Sequence, residues 1–415
     1  LRVQSVIAVH RSRFLAISLF LGAALFLGAA GLSACTSSPA ANDAGGADDV
    51  GIDAGPIADV GVDANDVDSS IPYPSGDPLS WAVDGPGPFH VGYRSFPFDY
   101  LPPGQTEMRH SVLHIWYPTL TSTGTHPRYA GLYTDTAAYT DAPLAASPWA
   151  DHQFPLEVHS HGWRAFGGSS WPILDNFASH GWVVVAPEHT GSLLSVYDDP
   201  RPIAHYYERP TDISKAIDLV RDLPASDPLH GIVHVDRVFM TGHSFGVHTV
   251  WGIAGATFDV PTIMSSFTPA GAYTMAELDV FAAGVGDPRV IAAVPIAGNI
   301  DQSFFGMHGH ESVHIPLMLM TGGMDGVNGM AEQAHVAPPV NFRWVQIEGA
   351  CHNSFATVPG LCPMGTPDAD VAHMANAYIL SFARVQLLHD TDPTAVGIID
   401  GTHVVDARAT FHASP

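Results

Sequence analysis

The chain has 415 residues, 46% of them hydrophobic, which is ample for a large buried core. Its 41 acids against 16 bases give a formal charge of −25. With no basic stretch to neutralise phosphates, nucleic acid is not an expected partner.

The N-terminus carries the first signal. Arg11 and Arg13 lead into Phe14 to Leu32, an unbroken run of apolar and small residues. Such a run can span a bilayer as a permanent anchor. The small residues in Leu32-Ser33-Ala34-Cys35 favour cleavage instead. This tetrapeptide resembles the lipobox of bacterial lipoproteins, in which the cysteine becomes the first mature residue and carries the lipids. The resemblance implies a signal peptide over residues 1–34, lipidation at Cys35 and attachment to a bacterial membrane. Thr36 rather than Asp after the cysteine points to the outer membrane. The rest of the chain is then periplasmic or extracellular.

Residues 35–80 read as an acidic tether. Thr36 to Ser70 contains Asp43, Asp48, Asp49, Asp53, Asp59, Asp63, Asp66 and Asp68 with no base and no aromatic residue. Such a segment cannot bury enough surface to offset its ordering entropy and is expected to be disordered. The aspartate spacing does not match an EF-hand loop, and no closing glutamate follows.

From Trp81 to Leu388 strand-like and helix-like segments alternate. The strand-like runs are His90 to Ser95, Val112 to Tyr117, Leu156 to His159, Val183 to Pro187, Arg237 to Thr241, Val290 to Pro295, Pro316 to Thr321 and Phe342 to Ile347. Short continuous apolar runs suit strands covered on both faces. Ile213, Ala216, Ile217, Val220 and Leu223 fall on one helix face, with Thr211 or Asp212 as its expected cap and Pro224 as its stop. The alternation predicts a mostly parallel central sheet with helices on both faces, in one domain over residues 81–388. Residues 389–415 are a tail or an extra edge element.

Gly242-His243-Ser244-Phe245-Gly246 sits between the strand Arg237 to Thr241 and a helical stretch through Thr249, Val250, Trp251 and Ala254. A Gly-x-Ser-x-Gly in strand–turn–helix context is a nucleophile elbow, the mark of the α/β-hydrolase fold. A serine hydroxyl needs a base, and the base needs an orienting acid. In this fold the chain order is Ser, acid, His. His352, in the loop after the last strand, is the expected base, with His373 and His335 as rivals. Asp325 follows Thr321 through Gly322-Gly323-Met324 and is the expected acid; Asp301 is its rival. Two backbone N–H groups are needed for the oxyanion, and Phe245 and Trp163 are the expected donors. The Trp163 side chain reads equally as a substrate wall or as core.

Cys351 and Cys362 flank the His352 loop, and in an exported chain such a pair reads as a disulfide. Two free buried thiols are the alternative. His159, His161, His243 and His248 invite a metal reading, but no third ligand stands at convincing spacing, so no metal is expected.

These stretches together resemble the serine-dependent platelet-activating-factor acetylhydrolase family and its bacterial esterase relatives, including dienelactone-hydrolase-like enzymes. The matching residues are Phe89-His90-Val91-Gly92-Tyr93-Arg94, Ile115-Trp116-Tyr117-Pro118, Phe154-Pro155-Leu156 through Ser160-His161-Gly162, Ala178-Ser179-His180-Gly181-Trp182, Glu188-His189 and the elbow itself. The resemblance implies ester hydrolysis without metal or cofactor, on short-chain esters or phospholipid acyl groups, and supports Ser244, His352, Trp163 and Phe245 in their roles. Animal members carry the acid at the end of the strand that follows the elbow helix. Here that strand reads Ala293-Val294-Pro295-Ile296, which moves the acid to Asp325. A cutinase-like polyester hydrolase is the close alternative. A peptidase or acyltransferase, and a non-catalytic lipoprotein that binds a ligand or partner, are the readings from other classes. Thr257 to Gly286 matches nothing in the family and is either a lid or a pocket wall. Oligomeric state is left open.

Overall fold

A computed structural model describes residues 73–267, 273–326, 340, 342–356, 362 and 364–412. The expected signal segment, Cys35, nearly all of the tether, and His335 lie outside the described residues. Among the described residues no helix is long and apolar enough to cross a membrane.

Among the described residues ten strands form one sheet. In chain order they are β1 (His90–Tyr100), β2 (Arg109–Thr119), β5 (Ala138–Thr140), β6 (Phe154–Ser160), β7 (Val183–Pro187), β8 (Val233–His243), β9 (Val290–Ile296), β10 (Leu317–Gly322), β11 (Phe342–Ile347) and β12 (Ala409–His412). Two short strands, β3 (Arg128–Tyr129) and β4 (Tyr133–Thr134), pair separately. The spatial order is β12-β11-β10-β9-β8-β6-β7-β2-β1-β5. From β11 to β7 all neighbours are parallel. Antiparallel β2 and β1 flank one side and antiparallel β12 the other.

Alternation along the parallel strands divides the core. Leu156, Val158, Val183, Val185, Val238 and Met240 face one layer, with α2 (His205–Arg221) and α3 (Phe245–Ile253). Val184, Ala186, Phe239 and Val294 face the other, with α1 (Trp171–Ser179) and α7 (Asp368–Leu388). Between α3 and α7 lie α4 (Val260–Ser266), α5 (Met275–Ala283) and the short α6 (Gln302–Phe305). Past residue 388 the chain continues as α8 (Pro393–Asp400) and then β12, which adds to the sheet edge beside β11.

The helix expected to start at Thr211 or Asp212 begins earlier, at His205, and runs through Pro210. Proline normally breaks a helix because it has no N–H for the carbonyl four residues back. Here that carbonyl is Tyr206 O, and His248 Nε2 on α3 donates to it at 3.3 Å. Asp212 is therefore not a cap: it is fully buried inside the helix and engaged in ion pairs.

Chain β6 leads to β7 on one side, and β8 lies on the other side of β6. This reversal opens a crevice at the C-terminal ends of β6 and β8, where open α/β sheets place their ligands. Ser244 follows β8 directly, and residues 161–163 follow β6.

Replacing His248 by phenylalanine preserves ring volume but leaves Tyr206 O without its donor. The variant is expected to lose about 1–3 kcal/mol of stability, read as a lower urea midpoint at unchanged slope. An unaltered midpoint would contradict this account of Pro210.

Candidate active site

The sequence folds into an elbow at residues 242–246 because the backbones there nearly touch. A Cβ on Gly242 would lie 2.5 Å from Gly246 O, and one on Gly246 would lie 2.0 Å from Ser160 O. Only glycine fits either position. Ser244 itself has φ +57° and ψ −116°, a left-handed conformation unfavourable for a residue with a side chain. Its N–H donates to Ile296 O of β9 at 2.9 Å, and its carbonyl accepts from Val247 N at 3.0 Å.

Ser244 Oγ lies 2.8 Å from His352 Nε2. His352 Nδ1 lies 2.9 Å from Asp325 Oδ2, whose side chain is almost fully buried. The rival acid Asp301 instead caps α6, accepting from Ser303 N at 3.0 Å and Ser303 Oγ at 2.6 Å. His373 sits on α7, beside a separate cavity. The His352 loop is tied down twice. His243 Nε2 donates to His352 O at 2.8 Å, and a Cys351–Cys362 disulfide joins the loop to the residues before α7.

Phe245 is the first residue of α3, so its N–H has no partner inside the helix. Trp163 follows Gly162, whose Cβ, if present, would lie 3.1 Å from Ser244 Cβ. No acceptor for the Trp163 N–H is found among the described residues. The structure therefore brings together Ser244, His352, Asp325, Trp163 and Phe245. The Trp163 ring is half-buried and packs edge-on against Phe245, with centroids 6.0 Å apart.

A buried ionic network that sequence reasoning missed holds the segment from Ser160 to Trp163. Asp212 accepts from Arg109 Nε and Nη2 at 2.8 Å each, from Tyr100 Oη at 2.6 Å and from His189 Nδ1 at 2.8 Å. Through its other nitrogen His189 meets Ser160 Oγ at 3.0 Å. Arg209 donates to His161 O, and to Ser192 Oγ at 2.7 Å. His161 Nε2 accepts from His189 N at 3.0 Å. Burial pulls the His161 and His189 pKa values well down, so both rings are neutral. The sequence signals were Ser160-His161 and Glu188-His189 within matching motifs; the other partners come from β1, β2 and α2, far apart in the chain.

The four histidines considered for a metal do not converge. His159 Nδ1 bonds Thr241 Oγ1 at 2.7 Å, and His161, His243 and His248 each bond backbone groups. A cavity of about 1080 Å³ lies beside the His352 loop, lined by Trp171, Asp175, Asn176, Phe355 and His373, but it does not include Ser244.

No family model matches the chain, and no curated protein matches it. Among solved structures it is similar to a ferulic acid esterase from Streptomyces cinnamoneus, with 19% identity over 80% of this chain and 98% of that one, and a TM-score of 0.56. With the sheet order and elbow described above, this likeness gives the chain an α/β-hydrolase fold.

Behind the elbow, Glu157 is fully buried and accepts from Thr241 Oγ1 at 2.5 Å. Burial pushes its carboxyl up to about 8. Burial likewise holds His159 down to about 3 and His243 down to about 4. A raised acid binds its proton more tightly when folded, so it favours the fold at low pH. That contribution is lost as pH rises from the unfolded value of 4.5 to about 8. The depressed histidines act oppositely and cost stability only as pH falls below 6.5. Between pH 6.5 and 8, Glu157 is thus the only one of the three that titrates differently in the two states. Urea stability is expected to decline across that window, and Glu157→Gln is expected to flatten the decline. An equal slope in the variant would refute the assignment.

Proposed function

We propose that this protein is a carboxylic ester hydrolase that works through an acyl-enzyme on Ser244. The observation that carries the reading is the unbroken line of hydrogen bonds from Asp325 to His352 Nδ1 and from His352 Nε2 to Ser244 Oγ. In the proposed cycle, Ser244 Oγ attacks the ester carbonyl while His352 Nε2 takes its proton. Asp325 stays ionised and holds the proton on Nδ1, so that Nε2 is free to act as base. Charge develops on the carbonyl oxygen, opposite the N–H groups of Trp163 and Phe245. His352 then gives its proton to the leaving alcohol. Water attacks the acyl-enzyme by the same route and releases the acid.

One feature supports short acyl groups over long ones. Thr257 to Gly286 contributes Phe258, Phe267 and Phe281, which pack with Phe304 and Phe305. Phe304 in turn stacks on Tyr206 at 3.5 Å, and Tyr206 meets the Phe245 ring. Rings thus fill the space next to Phe245. The motif resemblance to the platelet-activating-factor acetylhydrolase family points to the same chemistry. The similar solved structure is a ferulic acid esterase, which also acts on an ester. We further propose that Cys35 carries the lipids that hold the domain to a membrane.

The test is hydrolysis of p-nitrophenyl esters from acetate to long chain. Activity is expected to peak at short chains and to vanish in Ser244→Ala. Asp325→Asn is expected to lower kcat about 10⁴-fold by fixing the wrong histidine tautomer. Asp301→Asn is expected to change it far less, because the partly buried Asp301 caps α6 and does not touch His352, and an asparagine can still cap a helix. Full activity in Ser244→Ala, or a larger loss at Asp301 than at Asp325, would overturn the assignment.

A further inference from the structure

Arg201, in the loop between β7 and α2, is placed unlike the other arginines around the site. Its guanidinium lies 4.3 Å from the centroid of the Trp163 ring and 4.1 Å from that of the Phe245 ring. These are the side chains of the two residues whose N–H groups flank Ser244. Arg201 Nη1 donates to Tyr206 Oη at 3.2 Å. Its Nε is buried without a partner. No carboxylate lies within ion-pair distance of it among the described residues.

The acids nearby in the chain are engaged elsewhere. Asp199 pairs with Arg164 at 3.0 Å, and Asp198 with His205 at 3.1 Å. Arg209 also lacks a carboxylate, but it is fully buried and spends its donors on His161 O and on hydroxyls. Arg201 is only half-buried, and although its Nε is enclosed, its Nη2 has neither a partner nor full burial and remains reachable. Asp301 reaches Arg201 only through the Tyr206 hydroxyl that both approach, and in a chain with 41 acids and 16 bases a guanidinium without a direct ion pair at this place needs an explanation.

We propose that Arg201 is a specificity-determining residue that binds an oxyanionic group, carboxylate or phosphate, carried by the ester substrate near its scissile carbonyl. The inference rests on the ester-hydrolase reading of Ser244. The guanidinium sits in the corner of two rings that stand at 82° to each other, Trp163 and Phe245, which hold it beside Ser244 with Nη2 left to donate to an oxyanion. The net charge of −25 repels an anionic ester from most of the surface. A local unpaired cation is then what admits one.

The experiment compares charged and neutral esters with the intact protein. On the acyl side, the mono-p-nitrophenyl ester of adipic acid is set against p-nitrophenyl hexanoate. On the alcohol side, para-acetoxybenzoate and para-acetoxyphenyl phosphate are each set against methyl para-acetoxybenzoate. The readout is the ratio of kcat/KM, charged over neutral, in wild type, Arg201→Gln and Arg201→Lys. In at least one arm the ratio is expected to fall about tenfold to a hundredfold in Arg201→Gln, chiefly through KM, and less in Arg201→Lys, which keeps the charge but loses the planar fork. The arm that responds identifies carboxylate or phosphate, and the side of the bond that bears it. A ratio unchanged in every arm overturns the proposal, as does an equal loss on charged and neutral esters, which would make the guanidinium part of the fold or of the oxyanion site. Turnover of the neutral esters by wild type tests the underlying reading separately. If none is cleaved, that reading fails first and this one with it.

Discussion

The structure depends on one crowded place, the turn where β8 becomes α3. Ser244 is held at φ +57°, a conformation that costs a non-glycine residue about 1–3 kcal/mol. The surroundings offset that cost. Gly242 and Gly246 let the strand, the helix and the end of β6 approach to contact, and Ile296 O accepts the Ser244 N–H. The same crowding fixes the rest of the site. Gly162 rests against Ser244, where a Cβ would be crowded at 3.1 Å, and Gly298, whose Cβ would meet Ser244 O at 2.5 Å, closes the other side. Ser244 is thus positioned by backbone packing, while Asp325 and His352 come from just beyond the ends of two later strands.

Around this turn the protein uses charge sparingly. One aspartate, Asp212, sits at the centre of a buried network that ties α2 to β1, β2 and the segment after β6. Arg209 anchors His161 O directly. Buried charges are costly unless every lone pair and proton is met, and here Asp212 accepts from three side chains. Holding the carbonyl of His161 in place also fixes the peptide planes that follow it, including the one that carries the Trp163 N–H. Rigid donors are what oxyanion stabilisation requires, because they need not reorganise as charge develops.

The elbow was legible because its evidence is local: two glycines, a serine, an apolar strand before and a helix after. Asp325 and His352 could be placed because each follows a strand readable as a short apolar run, and the fold's chain order does the rest. The start of α2 was not legible. Thr211 and Asp212 look like a cap after Pro210, and only the distant His248 reveals how the helix passes the proline. The ionic network was hidden for a related reason. Arg109 and Asp212 are 103 residues apart, and no periodicity links them. Arg201 lies in an irregular loop where sequence pattern carries no directional information, so its place over Trp163 and Phe245 emerges only in three dimensions.

The central claim is that Ser244 is an activated nucleophile, and the most direct test needs no knowledge of the substrate. The protein is treated with a fluorophosphonate, digested and mapped by mass spectrometry. The account predicts a single covalent adduct on the peptide containing Ser244, formed at neutral pH and absent from protein in which His352 is replaced by alanine. No adduct, or an adduct on another serine with Ser244 unmodified, would contradict it.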